Sequence, residues 1–301
     1  MSSVQSFKGF RRKISLAIGV AAVALFAVNA ANADSSNLTA ANALTEMSPG
    51  WNLGNTLEAI GAGSQPFSVS QETAWGNPAA TQALMHSVKA AGFKSIRIPV
   101  SWKQYADSSD TINAAWLARV KDVVDYARAA DLYVMINVHW DGGWLQPTYA
   151  AEAVADARLT KFWTQIGTTF KDYDDHLLFA GTNEVMVTGD YGTPKRENCE
   201  VQHGFNQTFV DAVRATGGNN TTRWLVIQGF NTNIDHTLLC NSTLPNDTAT
   251  GRLMMEVHYY DPYNFTMIPA ARSGNGDRSR QVLPIPRPGP TRPIPTPSSR
   301  R

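Results

Sequence analysis

Residues 177–186 read LLFAGTNEVM. Leu177, Leu178, Phe179 and Ala180 make a short apolar run of strand length, and the run leads into the pair Asn183-Glu184. A strand that ends in Asn-Glu sets a carboxylate at its carboxyl rim, where it can hand over a proton.

Working outward from this stretch, the same pattern recurs. Val- and Ile-rich runs predict strands at 50–53, 95–100, 132–138, 177–181, 224–228 and 253–259. Amphipathic stretches between them predict helices at 79–91, 114–130, 151–170 and 202–215, with a shorter one at 233–239. Strand starts spaced by roughly 30–45 residues match the pitch of repeated βα units. Polar and aromatic residues collect just after each strand: Asn52 and Asn55, Arg97, His139, Asn183 and Glu184, Asn231, then His258 and Tyr260. A (β/α)8 barrel and a doubly wound open sheet both gather ligands at the carboxyl ends of their strands. Neither G-x-G-x-x-G nor G-x-x-x-x-G-K-[ST] occurs, so phosphate cradling has no support.

Composition sets the outer limits. The 301 residues are 43% hydrophobic and 17% charged, as in a soluble globular protein, and eight Trp are available for core packing or for sugar faces. Lys8, Arg11, Arg12 and Lys13 precede an apolar run over 14–28, and Ala31-Asn32-Ala33 supplies an A-x-A cleavage site. Residues 1–33 therefore read as an export leader, too short in its apolar part for a membrane span, with a secreted chain beyond it. In an exported chain, Cys199 and Cys240 are candidates for a loop-to-loop disulfide. No C-x-x-C or clustered His/Cys spacing points to a metal, and no cofactor is expected. The net charge of +1 conceals a leader of +4 and a stretch 272–301 of +6, which leaves the middle acidic and argues against nucleic acid.

Six stretches carry a resemblance to a known family: GWNLGNTLEA, ETAWGNP, IRIPVSW, INVHWDGGW, GTNEV and EVHYYDPYNF, in that order and at strand ends. Together they resemble the bacterial endoglucanase branch of glycoside hydrolase family 5, over roughly residues 48–265. The resemblance implies a (β/α)8 TIM barrel and hydrolysis of β-1,4-linked glucan with retained configuration, by a chain expected to be a monomer. It assigns Glu184 as general acid/base, and Asn183 as the group that bonds the sugar 2-hydroxyl. It makes Arg97 the residue that holds the nucleophile ionised, His139 and His258 cleft-lining histidines, and Tyr260 a hydroxyl that bonds the nucleophile. Asn55 belongs with the polar residues beyond the first strand. Of Trp140 and Trp144, Trp144 is expected to stack on a glucose ring, because it lies further out on its loop. Glu58 and Glu72 read as surface acids by default. Glu256 shares strand parity with His258 and reads as a barrel-interior residue rather than a catalyst.

The family's nucleophile is a Glu after strand seven, followed by a Trp after strand eight. No Glu occurs after Glu256 and no Trp after Trp224. About six βα units are thus expected, with strands seven and eight missing, and the catalytic domain is expected over 34–269. An Arg/Pro-rich stretch at 270–301 reads as disordered, either a basic arm or a frame-shifted end. The expectation is an endo-β-1,4-glucanase weakened by loss of its nucleophile. The alternatives are a glucan-binding remnant without turnover, or an enzyme with xyloglucanase, lichenase or mannanase specificity.

Overall fold

The computed structural model describes residues 39–262 and residue 266. The expected leader and the Arg/Pro-rich stretch lie outside the described residues. The chain falls into two units, Met1–Val257 and His258–Arg301. Among the described residues, six strands form one sheet: β1 (Gly50–Asn52), β2 (Ser95–Ile98), β3 (Tyr133–Asn137), β4 (Leu177–Ala180), β5 (Leu225–Asn233) and β6 (Leu253–His258). They lie in chain order, and β1 to β5 pair in parallel, with Trp51 opposite Ile96, Ile96 opposite Val134 and Ile136 opposite Phe179. Sequential parallel strands joined by helices are the construction of a (β/α)8 barrel, here represented by six strands.

The connecting helices are α2 (Gln82–Ala90), α3 (Ala114–Ala129), α4 (Tyr149–Phe170), α5 (Arg196–Ala215) and α6 (Ile234–Leu239), preceded by α1 (Ala40–Met47). Their starts follow from short polar side chains that satisfy the orphan N–H groups of a first turn. Thr81 accepts from Leu84 N, Asn113 from Ala115 N and Asn233 from His236 N. The apolar faces of α3, α4 and α5 bury Trp116, Val123, Phe162, Trp163, Phe205 and Phe209 in one cluster with the strand residues Ile96, Ile136 and Phe179. All four residues of β4 are buried, as expected of a strand covered on both faces. Gly181, just past β4, cannot be larger, since a Cβ there would stand 2.6 Å from the Phe209 ring.

Two of the helices differ from the sequence expectation. The helix α1 is not anticipated, because it is only eight residues long and only Ala43 of them is fully buried. It packs in a second cluster with Leu178, Ala180, Trp224, Val226 and Met254. The helix α5 begins six residues earlier than expected. Its first turns, Arg196 to Glu200, are polar and carry no apolar stripe. They are held from outside instead: Asn198 is buried and donates to Pro147 O at 2.8 Å, and Cys199 is joined to Cys240 by a disulfide with Cα atoms 5.3 Å apart. Among the described residues no helix is long and apolar enough to cross a membrane, and no group of three His, Cys, Asp or Glu is placed to hold a metal.

Candidate active site

The carboxyl ends of β3 and β4 form an open cleft, lined among others by His139, Trp140, Gln146, Asn183, Glu184 and Tyr191. The backbone that delivers Glu184 is held at successive residues. Trp163 Nε1 donates to Gly181 O at 3.0 Å, and Thr182 donates through both N and Oγ1 to the buried Gln228 Oε1, at 3.1 and 3.0 Å. The Asn183 carbonyl accepts from Val185 N at 2.9 Å and from Thr232 Oγ1 at 3.1 Å.

Asn183 is only 5% exposed. Its Oδ1 accepts from Arg97 Nη2 at 2.7 Å, which fixes the orientation of the amide and leaves Nδ2 as its donor. Arg97 also donates through Nη1 to Asn52 Oδ1 at 2.9 Å, and its Nε lies 3.4 Å from Glu256 Oε1. The carboxylate that a half-buried arginine requires is therefore Glu256. Glu256 is held in turn by Gln228 Nε2 at 2.7 Å, so Gln228 links Glu256 to the Glu184 loop.

His139 is half-buried and its backbone N donates to Val100 O at 3.0 Å. Asn137 Oδ1 accepts from Val100 N, so its Nδ2 is the group that faces His139 Nδ1, at 3.4 Å.

The two tryptophans of this loop exchange the places expected of them. Trp144 packs edge-on to Phe162 with centroids 5.8 Å apart, lies under Arg158 at 5.4 Å, and donates through Nε1 to Asp141 Oδ2 at 2.9 Å. It is fastened into the wall. Trp140 is 58% exposed, lines the cleft with Glu184, and lies across Gly143, where a Cβ would approach its Nε1 to 3.2 Å. Loop order alone cannot tell these two apart, because burial depends on what α4 presents to each.

Glu58 and Glu72 are not surface acids. Both are buried. Glu58 accepts from the backbone N of Thr56 at 2.8 Å and of Asn55 at 2.5 Å, and Glu72 takes both Nε and Nη2 of Arg119, at 2.7 and 2.9 Å. Asn55 itself is exposed, with φ 57°, and lies in that β1 loop. His258 ends β6 and Tyr260 follows it. They belong to the second unit, with ring centroids 6.4 Å apart.

Asp141 escapes a reading by motif. In HWDGGW it looks like an ordinary Asp-Gly turn residue, and its φ of 51° agrees with that. It is also fully buried, and accepts from Trp102 N at 2.9 Å, Lys103 N at 2.8 Å and Trp144 Nε1. Burial pushes its carboxyl up to about 7, against the pull of the Lys103, Trp144 and Trp102 N–H groups. Asp141→Ala strands those donors and is expected to cost about 3 kcal/mol in urea unfolding. The folded pKa stands above the unfolded value of about 3.9, so this stability is complete below pH ~4 and is lost as pH rises through 7. The difference between wild type and variant should accordingly be larger at acid than at alkaline pH.

This arrangement of strands and loops defines an α/β protein with a carboxylate, Glu184, at the carboxyl rim of its sheet, and comparison with known proteins identifies its family. A model of the family Cellulase (glycosyl hydrolase family 5) matches residues 57–281, so the chain belongs to glycoside hydrolase family 5. It is 45% identical over 237 residues to a xyloglucan-specific endo-β-1,4-glucanase of Bacteroides ovatus, covering 77% of this chain and 47% of that protein. It is 42% identical over 269 residues to endoglucanase A of Paenibacillus barcinonensis, covering 83% and 65%. Solved structures agree. The Bacteroides ovatus xyloglucanase with a XXXG heptasaccharide superimposes with TM-score 0.73 at 44% identity, over 78% of this chain and 51% of that one. A lichenase variant of Caldicellulosiruptor sp. F32 with cellotetraose gives TM-score 0.74 at 36% identity, over 80% and 68%. The chain thus spans about half to two thirds of the length of the two relatives.

Proposed function

We propose that this chain acts on β-1,4-linked glucan, which it holds in the cleft beside Glu184, by the double-displacement route of a retaining endoglucanase. The observation that carries this reading is the Asn183-Glu184 pair at the cleft, with the Asn183 amide locked by Arg97 so that Nδ2 is left as a donor for a bound sugar. In the first step Glu184 gives its proton to the glycosidic oxygen as the C–O bond breaks and a carboxylate attacks the anomeric carbon. In the second step it takes a proton from water, and the hydroxide oxygen displaces the carboxylate. Asn183 Nδ2 bonds the 2-hydroxyl, a contact that strengthens as the ring approaches an oxocarbenium ion. The attacking carboxylate is the family's strand-seven Glu. No Glu follows Glu256 in these 301 residues, so the chain itself is expected to bind glucan and turn it over slowly.

Xyloglucan is the second substrate reading, favoured by the named specificity of the Bacteroides ovatus relative. Both substrates share the β-1,4-glucan backbone. The chain works outside the cytoplasm as a monomer: residues 1–33 read as a leader, and the Cys199–Cys240 disulfide suits an oxidising compartment.

Calorimetric titration with cellotetraose tests the reading. Trp140→Ala should weaken binding roughly tenfold, because an exposed indole face is lost from the cleft. Trp144→Ala should act mainly on stability, by about 3 kcal/mol, as a packed aromatic is removed. Absence of cellotetraose and xyloglucan heptasaccharide binding by the wild-type chain would exclude the proposed function.

A further inference from the structure

The end of β5 takes an unusual path. Asn231 and Thr232 are consecutive and both left-handed, with φ of 53° and 52°. Asparagine tolerates that region, but a β-branched residue there is a true outlier and is strained. Strain of this kind persists only where the surroundings over-determine it, and it concentrates at functional sites.

What the strained pair touches is the backbone on either side of Glu184. The Thr232 side chain is fully buried, and its Oγ1 donates to the carbonyl of Asn183 at 3.1 Å. The backbone N of Asn231 donates to the carbonyl of Val185 at 2.9 Å. Two adjacent residues of β5 therefore hold the carbonyls immediately before and after the glutamate. A regular strand could not do this, because its successive groups point to opposite sides. The left-handed step turns both donors toward the neighbouring loop. The next residue, Asn233, then caps α6 by accepting from His236 N at 3.0 Å.

We propose that Thr232 is a positioning residue for Glu184. With Asn231 it holds the peptide plane that enters Glu184 and the one that leaves Val185, and so sets the direction in which the carboxyl enters the cleft. This rests on the reading of Glu184 as the proton-transferring group. Fixing two flanking carbonyls constrains the ψ of Asn183 and the backbone torsions of Glu184, and with them the Cα–Cβ vector. Proton transfer needs its heavy atoms within hydrogen-bond reach, so a small rotation of that vector matters.

The test uses the full chain with Thr232→Val, which keeps shape and branching but removes the hydroxyl, Thr232→Ser, which keeps the hydroxyl, and Thr232→Gly, which relieves the left-handed strain and removes the hydroxyl. Amide hydrogen exchange at Val185 and Asn231, cellotetraose affinity, residual glucan cleavage and thermal midpoint are measured for each. In Thr232→Val, exchange at both amides should quicken about tenfold and cleavage should fall by a similar factor, the scale of one buried hydrogen bond lost. Thr232→Ser should restore both. Thr232→Gly should melt no lower than Thr232→Val yet show the same loss of protection and cleavage. Wild-type exchange in Thr232→Val overturns the proposal, as does a loss of cleavage that merely follows the melting temperature across all three variants. If wild type neither binds nor cleaves glucan, the functional reading fails, and exchange at Val185 alone decides the bracket: faster in Thr232→Val supports it, unchanged removes it.

Discussion

The 301-residue chain is expected to release reducing sugar from soluble β-1,4-glucan about 10,000-fold more slowly than its longer relatives, while still binding cellotetraose. The two carboxylates of a retaining glycosidase act as a unit, and removing one member of such a set costs several orders of magnitude in rate. In the proposed mechanism Glu184 supplies the proton, whereas the attacking oxygen that the resemblance implies would come from beyond a seventh strand, and these 301 residues contain no Glu after position 256. Glu256 is a poor substitute, because its two carboxylate oxygens are engaged by Arg97 at 3.4 Å and by Gln228 at 2.7 Å. Those partners hold it inside the sheet. Glu184→Gln should lower the residual rate further, by about a hundredfold, since proton donation is the part of the pair this chain retains. Turnover at the level of the relatives, abolished by Glu184→Gln, would overturn this expectation and show that an effective nucleophile is present.

Arg223→Ala is expected to destabilise the fold by about 4 kcal/mol, measured as a shift of the urea midpoint. The Arg223 side chain is buried and makes five hydrogen bonds: to Phe170 O at 2.9 Å, Tyr173 O at 2.7 Å, Asp174 O at 2.9 Å, Leu177 O at 2.6 Å and Asn220 Oδ1 at 2.6 Å. Its guanidinium also lies 4.8 Å from the Phe179 ring centroid. Burial draws its pKa down to about 10, so the group remains charged at neutral pH. The bonds tie the last carbonyl of α4, which has no donor of its own helix, to the first residue of β4. Alanine would leave four backbone carbonyls without this partner, those of Phe170 and Leu177 buried, in the segment that launches the Glu184 strand. Arg223→Lys keeps the charge but cannot supply five donors in a planar fork, and should cost about half as much. Arg196→Ala is the control. That arginine is exposed and paired with Glu200 one turn away, and its loss should leave the urea midpoint unchanged. Equal effects at positions 223 and 196 would refute the argument.

Much of the architecture is legible in the chain, because apolar periodicity is a local property. The runs at 95–100, 132–138 and 177–181 locate β2, β3 and β4 to within a few residues, and each ends in the polar group that meets the cleft or supports it. What escapes is set by burial from elsewhere. Residues 225–233 extend five positions beyond the strand expected there, since the left-handed step at Asn231 and Thr232 has no Val- or Ile-rich signature. The front of α5 is polar and is recognisable only from its bonds to Pro147 and Cys240.

The sequence by itself determined the family, the order of βα units and the strand that carries Glu184, because these depend on residue types at short spacing. Only the tertiary structure decided which tryptophan faces the cleft, that Glu58, Glu72 and Asp141 are buried acceptors, and that Arg97 is paired with Glu256. Each of these is a contact between segments dozens of residues apart. A charged or aromatic side chain reads the same in sequence whether it meets water or a buried donor, and only the packed neighbours distinguish the two.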